Sequence, residues 1–486
     1  MTNNRLTKHF TFEELTHTDY NPLQQKNSDN AIQYRPKLQK LAEFAEQIRA
    51  ILDCPMIITS GYRCEELNAY VGGSPTSQHC FDTETEILTS DGWKKYNEIS
   101  KKDKCFSYNL STQKIELTDI YNIIKRKHNG KMYVADTKDI NYCVTDKHRF
   151  LVKTNKYQRK TNRIMSGSYH KNLQKPTWQF KTADEIYNKR SIHLVSGISN
   201  NTLECNINLL KLCIAVVCDG CVVKRRQDIL FTLAKERKIK HVIELLKLNN
   251  ISYTIRKDNS NYRASKAGLP VYSIYINSTN AKPIVDIIGK QKLLPKDIIM
   301  LKPEILKELV YEYAFFDGHI PSDYNNHFMI SSANKHNIDL LQIMCIFCDL
   351  KATIHTQKHR ITGFASNSTY YTLNVSCKKE SKISEFSHSQ IDYNGIVWCI
   401  SNKNTTVIAR RNGKVIIAGN CFCEAFDFIP KNMDAYQAFA KIIVSNIEYQ
   451  QLILEKRGIG HIIHIGMGSK RQKLFSPKQG VYKNVL

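Results

Sequence analysis

Apolar residues at Leu38, Leu41, Ala45, Ile48 and Leu52 recur at three- and four-residue intervals after Pro36, which predicts an amphipathic helix opened by that proline. The next apolar run, "PMIITS", has the length of a buried strand and stops at "GYR". Further on, "TEIL" alternates as a strand does, "DGW" reads as a turn, and "RNGK" predicts a tight hairpin between two apolar strands. Two other segments predict helices that close on Asp-Gly. "LLKLCIAVVCDGCV" ends at Asp219–Gly220 and "ELVYEYAFFDGHI" at Asp317–Gly318, 98 residues later. No apolar run approaches the length of a membrane span, and the polar start "MTNNRLTKHFTFEEL" lacks the apolar stretch of a secretory signal. The expectation is a soluble chain, cytoplasmic on synthesis.

Length and charge sharpen this picture. A chain of 486 residues should hold two or three domains. Its net charge of +25 is unevenly spread. Residues 1–79 and 421–486 together carry 17 Lys+Arg against 14 Asp+Glu, whereas residues 80–420 carry 53 against 31. The basic excess lies in the middle, interleaved with aromatics as in "KTNKYQRKTNRIMSGSYHKNLQKPTWQFK", and points to a polyanion partner for that segment. The fifteen cysteines show no regular spacing, so most are expected to be reduced, buried thiols.

The low-charge flanks read as one sequence when His79 is joined to Cys421, giving "SGYRCEELNAYVGGSPTSQH–CFCEAFDFIP". The joined stretch sets His79 and Asp427 seven positions apart, and "GHIIHIGM" supplies His464. Two imidazoles and one carboxylate leave a fourth position open for water, the arrangement of a catalytic zinc site. With "SGYR", "LN", "VGG", "S-x-H" and "QQLILE", the 145 flanking residues resemble the D-Ala-D-Ala carboxypeptidase-like zinc metallopeptidases, many of them phage endolysins. The resemblance implies that His79, Asp427 and His464 hold zinc, that Arg63 contacts substrate, and that the substrate is a peptidoglycan stem peptide, reached through a phage lysis system. Cys423 stands where that family has Gly. The acidic residue expected before the last histidine is replaced by His461, so Glu455 and His461 are both candidates for the general base.

The break in the zinc motif has its own chemistry. A thiol at Cys80 can attack the preceding carbonyl to give a thioester, and a second thiol at Cys421 can take over the acyl group. The Asn420 side-chain amide can then attack its own backbone carbonyl and cut the Asn420–Cys421 bond. A sulfur-to-nitrogen shift would leave His79 joined to Cys421. "CFDTETEILTSDGWKKYNEI", "VTDKHRFLV" and "GIVWCISNKNTTVIARRNGKVIIAGNC", in this order, resemble the splicing blocks of inteins. By that resemblance Thr145 and His148 hold and protonate the scissile amide, and splicing needs no cofactor. Inteins usually carry His before the terminal Asn, where this chain has Gly419, and often Asp where it has Cys399.

A splicing domain of this kind needs fewer residues than the 341 present. The two Asp-Gly helices resemble the LAGLIDADG (dodecapeptide) homing endonucleases. That resemblance implies a Mg²⁺ site at Asp219 and Asp317, a charge-stabilising Lys292 in "KLLP", and duplex DNA at the uninterrupted allele of the same gene as partner. The expected architecture is multidomain: an α+β zinc peptidase (1–79 and 421–486) split by an all-β HINT (Hedgehog/intein) splicing domain (80–195 and 388–420), which carries an inserted α+β endonuclease (196–387). The competing expectation is a DNA-binding fusion that never splices, with inactive peptidase halves.

Overall fold

The helix predicted after Pro36 spans Arg35–Leu52, with the proline in its first turn and Leu38, Leu41, Ala45, Ile48 and Leu52 buried. The computed structural model describes residues 4–32, 34–70, 80–153, 178–223, 225–258, 270–319, 327–358, 369–420, 425–449, 451–457, 460–467, 472–478 and 481–484. The next strand, Met56–Ser60, pairs antiparallel with Ala425–Pro430, more than 360 residues further along the chain. That pairing opens a six-stranded sheet, which continues through Gly460–Gly466, Gln451–Arg457, Gln472–Lys478 and Val481–Asn484. The helices Arg35–Leu52 and Ala435–Val444 pack with it into one core, in which Phe426, Phe428, Ile463 and Ile465 meet Leu41, Ile48 and Leu52. The chain divides into two compact units, Met1–Ser77 with Phe422–Leu486, and Gln78–Cys421.

In the second unit the first and last strands share a sheet. Glu86–Thr89 pairs with Thr406–Arg411, which pairs in turn with Lys414–Gly419, and Lys414–Gly419 lies beside Arg149–Lys153. The predicted hairpin forms through Asn412 and Gly413, both at positive φ (49° and 74°), the combination a two-residue turn between twisted strands requires. A separate ribbon pairs Asn122–Asp136 with His388–Ser401 along its whole length.

The two Asp-Gly helices are Ile207–Asp219 and Pro303–Asp317, and they pack against each other. Each opens an αββαββ unit. After the first come strands Gly220–Val222 and Ile229–Leu233, helix Glu236–Leu248, and strands Thr254–Asp258 and Val271–Ile276. After the second come Gly318–His319, His327–Ser332, helix Lys335–Phe347, Lys351–Lys358 and Thr369–Ser376. Both four-stranded sheets run in the order first, second, fourth, third, so the segment is a structural duplication. Glycine is required at the two matching junctions by close approach. A Cβ on Gly220 would lie 2.8 Å from the Val216 Cα, and one on Gly318 would lie 2.5 Å from the Ala314 carbonyl oxygen.

The duplication is not a bead on a string. Its second half shares a hydrophobic core with the sheet around it, where the Phe106 and Phe347 rings lie 4.5 Å apart. Arg410, 3% exposed, joins Glu86 (2.6 Å) to Asp339 (2.5 Å). Strand Glu380–Ile383, within the segment expected for the inserted domain, pairs with Ser191–Leu194 outside it. Among the described residues no helix is long and apolar enough to cross a membrane.

Candidate functional site

Both ends of the second unit come to one buried place. Cys80 and Asn420 are each fully buried. The Cys80 backbone N–H donates to the Thr145 hydroxyl (3.0 Å), and the Thr145 N–H donates to the Cys80 carbonyl (3.0 Å). Thr145 therefore grips the residue at the first junction from both sides. The next residue, Phe81, exchanges backbone hydrogen bonds with Trp398 (2.8 and 2.9 Å), while the Trp398 indole N–H donates to the Asp82 carbonyl (3.0 Å). Cys80 is thus pinned at the edge of the ribbon, beside strand Asn141–Val144.

The Thr-x-x-His spacing has a local cause. His148 N–H donates to the Thr145 carbonyl (3.1 Å), closing a four-residue turn that returns both side chains to the same place. The His148 ring is fully buried against Phe81 (4.2 Å between centroids) and Phe150 (5.1 Å). Asn420 reaches the same turn through sheet register. Ala418 pairs with Phe150 in the antiparallel ladder, so two steps further Asn420 stands opposite His148. Its N–H donates to the Thr405 carbonyl (2.9 Å), and its own carbonyl accepts from the Arg149 guanidinium (2.8 Å). Arg149 was invisible to motif reading, although it sits between the turn histidine and the first core residue of the following strand. Cys399 is buried on the neighbouring strand with its thiol on the Ile400 carbonyl (3.4 Å). His79, Cys421 and Cys423 lie outside the described residues.

A second site lies where the paired helices end. Burial, and next the charge of Asp219, raises the Asp317 carboxyl above its ordinary range, against the pull of Lys238 and Lys292. Burial together with the charges of Asp317 and Asp219 also pushes the intervening Cys218 thiol well up. The structure therefore brings the two aspartates together. It changes the role expected of Lys292. Its ammonium donates to the Val217 (3.2 Å) and Gly220 (2.9 Å) carbonyls, so it closes the helix end rather than reaching a carboxylate. The cation on Asp219 is Lys238, at 2.5 Å and largely buried. Its signal was a lysine sharing the apolar stripe of Ile239, Val242 and Leu246. Two adjacent carboxylates opposed by one amine fit a divalent cation between them.

The third site lies on the six-stranded sheet of the first unit. Asp427 and His464 are direct register partners, and His464 Nδ1 meets Asp427 Oδ1 at 2.6 Å. Arg63 reaches the other carboxylate oxygen at 3.5 Å, and Arg457 lies 3.7 Å from it. Burial raises the Asp427 carboxyl, but the bond to His464 and the charges of His464, Arg457 and Arg63 outweigh it and hold it below its ordinary value. Register separates the two candidate bases. Glu455 pairs with Ile462, on the face that carries His464. His461, three positions from His464, points to the other face, where its ring meets the Tyr436 hydroxyl (3.0 Å) of the covering helix. His461 is therefore not beside Asp427 and His464, and buried Glu455 shares their face. No group of three or more His, Cys, Asp or Glu side chains is assembled for a metal among the described residues. Asp427 and His464 supply the two ligands expected there.

Comparison with known proteins gives different relatives for different stretches. The family model described as Peptidase M15 matches residues 8–114. The ribonucleoside-diphosphate reductase subunit beta of Aquifex aeolicus (strain VF5) is 26% identical over 372 residues, covering 71% of this chain and 51% of that protein. The chain thus spans about half the length of this curated relative. Among solved structures, the homing endonuclease I-DmoI in complex with DNA and Mn is similar at 13% identity and a TM-score of 0.26, over 35% of this chain and 91% of that one. The N-terminal LAGLIDADG domain of DUF199/WhiA is similar at 11% identity and a TM-score of 0.25, over 36% of this chain and 78% of that one.

Proposed function

We propose that the chain is a self-splicing precursor. Residues 80–420 form an intein with a HINT-type splicing centre, and they excise themselves while joining His79 to Cys421. The observation that carries this reading is the meeting of Cys80, the Thr145–His148 turn and Asn420 in one buried place, although Cys80 and Asn420 are the two ends of the insert. Thr145 holds the amide nitrogen of the His79–Cys80 bond through its hydroxyl, fixing the peptide for attack by the Cys80 thiol on the His79 carbonyl. His148 is the proton donor to the departing Cys80 nitrogen. The acyl group passes from Cys80 to Cys421, and Asn420 cyclises to release the insert.

The comparisons support an insert with its own history. A match over 71% of the chain is longer than the 145 flanking residues can supply, so much of the likeness to the reductase subunit falls within residues 80–420. The peptidase model, by contrast, begins at residue 8 in the first flank. One module in two unrelated host proteins is what a mobile element leaves behind.

Within the insert, the duplicated αββαββ segment is proposed to cut duplex DNA at the uninterrupted gene. Asp219 and Asp317 would hold Mg²⁺, which when bound supplies an activated water and charge neutralisation. Lys238 balances the carboxylates, and Lys292 fixes the helix end that presents Asp219. In the spliced host, His79, Asp427 and His464 would hold zinc, which supplies a polarised water. Arg63 orients the substrate carboxylate or carbonyl, and Glu455 is the base on that face. The proposed substrate is a peptidoglycan stem peptide.

The reading is tested with Asn420→Ala. That variant should no longer release residues 421–486, while added thiol still cleaves before Cys80. Full splicing by Asn420→Ala would end the reading.

A further inference from the structure

Gly419 stands where inteins usually carry the histidine that assists cyclisation, so some other group must draw electrons from the Asn420 carbonyl. We propose that Arg149 does this, as the catalytic residue of C-terminal cleavage, an assignment that rests on the splicing reading. Its guanidinium donates to the backbone carbonyl oxygen of Asn420 at 2.8 Å. That oxygen belongs to the Asn420–Cys421 peptide bond, the one cyclisation breaks.

The chemistry places charge where Arg149 waits. The Asn420 side-chain nitrogen attacks the Asn420 backbone carbonyl carbon, forming a C–N bond and moving the carbonyl electron pair onto oxygen. Collapse of that oxyanion reforms the carbonyl and breaks the bond to the residue 421 nitrogen. The proton lost by the attacking amide ends on this departing amine. The products are a succinimide at residue 420 and a free amine at residue 421. A guanidinium already on the oxygen stabilises the anion more than the neutral carbonyl, which is how a fixed donor accelerates such a step.

Gly419 and Arg149 are linked by space as well as by chemistry. A Cβ at position 419 would lie 2.8 Å from the Arg149 Cβ and 3.2 Å from the Phe180 ring. The guanidinium lies over that same ring, 4.8 Å from its centroid. A side chain at 419 would therefore push Arg149 off its seat between Phe180 and the scissile carbonyl. The absent imidazole and the seated guanidinium are two sides of one arrangement: the glycine makes room for the group that replaces the histidine.

The test compares the two junctions in the full chain, following release of residues 421–486 and thiol-induced cleavage before Cys80 in each preparation. Arg149→Met should slow C-terminal release by about 10²-fold, the usual cost of removing one oxyanion donor, with cleavage before Cys80 retained. Arg149→Lys keeps the charge and should recover part of the rate. Unchanged C-terminal release in Arg149→Met overturns the assignment, and so does equal loss at both junctions in Arg149→Met and Arg149→Lys alike, which marks a folding role. If the unsubstituted chain cleaves at neither junction, the splicing reading itself fails.

Discussion

Thr145 illustrates how much one side chain can control. It accepts the Cys80 N–H and donates its own N–H to the Cys80 carbonyl, so Thr145→Val would leave a buried amide without its acceptor. A loss of about 1–3 kcal/mol is expected at such a bond, and thiol-induced cleavage before Cys80 should slow by roughly 10- to 100-fold. A gel time course in added thiol measures this directly, and an unchanged rate would remove Thr145 from the site. Lys238 makes the corresponding case at the aspartate pair. Lys238→Met strips the cation from Asp219 and should cost about 2–4 kcal/mol. Mg²⁺ should then raise the melting temperature of Lys238→Met more than that of the unsubstituted chain, because the ion replaces the lost charge. An equal Mg²⁺ response would argue against a cation site there. The Thr-x-x-His spacing was legible in the sequence because a turn is a local object. Arg149 and Lys238 were not, because their partners lie 271 and 19 residues away and neither belongs to a spacing that names its role.

Elements decide which residues share a face. Register alone separates Glu455 from His461, although both were equal candidates from the one-dimensional sequence. The paired Asp-Gly helices were legible from their apolar periodicity. The identical strand order that follows each was not, because weakly patterned strands such as Gly220–Val222 and Gly318–His319 carry no signal of their own. The helix ends also carry a stability prediction. Gly318→Ala forces a methyl against the Ala314 carbonyl and should cost about 1–3 kcal/mol, read as a lowered denaturation midpoint. On strand Ser191–Leu194, burial and next the nearby His388 lower the His193 imidazole from 6.5 to about 3. Below pH 6.5 the unfolded chain gains a proton that the folded chain refuses. Stability should therefore be unaffected above that pH and fall by roughly 1.4 kcal/mol per unit as pH drops toward 3. His193→Gln should flatten that slope in denaturation series at several pH values. An equally steep acid slope in His193→Gln would assign the effect elsewhere.

The whole molecule is organised around a chain that leaves one unit and returns to it. Strands Met56–Ser60 and Ala425–Pro430 pair as neighbours although the entire second unit separates them in sequence. The charge partition and the broken zinc motif made that division legible. The continuous core between the splicing sheet and the duplicated segment was not legible, because Phe106 and Phe347, or Glu86, Arg410 and Asp339, are joined only by long-range packing. That continuity ties the two activities proposed for the insert into one folding unit.

The central claim is that this unit removes itself, and intact-protein mass spectrometry of the expressed, unsubstituted chain tests it most directly. The account predicts products of about 17 and about 39 kDa by share of residues, the smaller with the mass of residues 1–79 joined to 421–486. A single species that stays at 56.1 kDa through incubation in reducing buffer would contradict it.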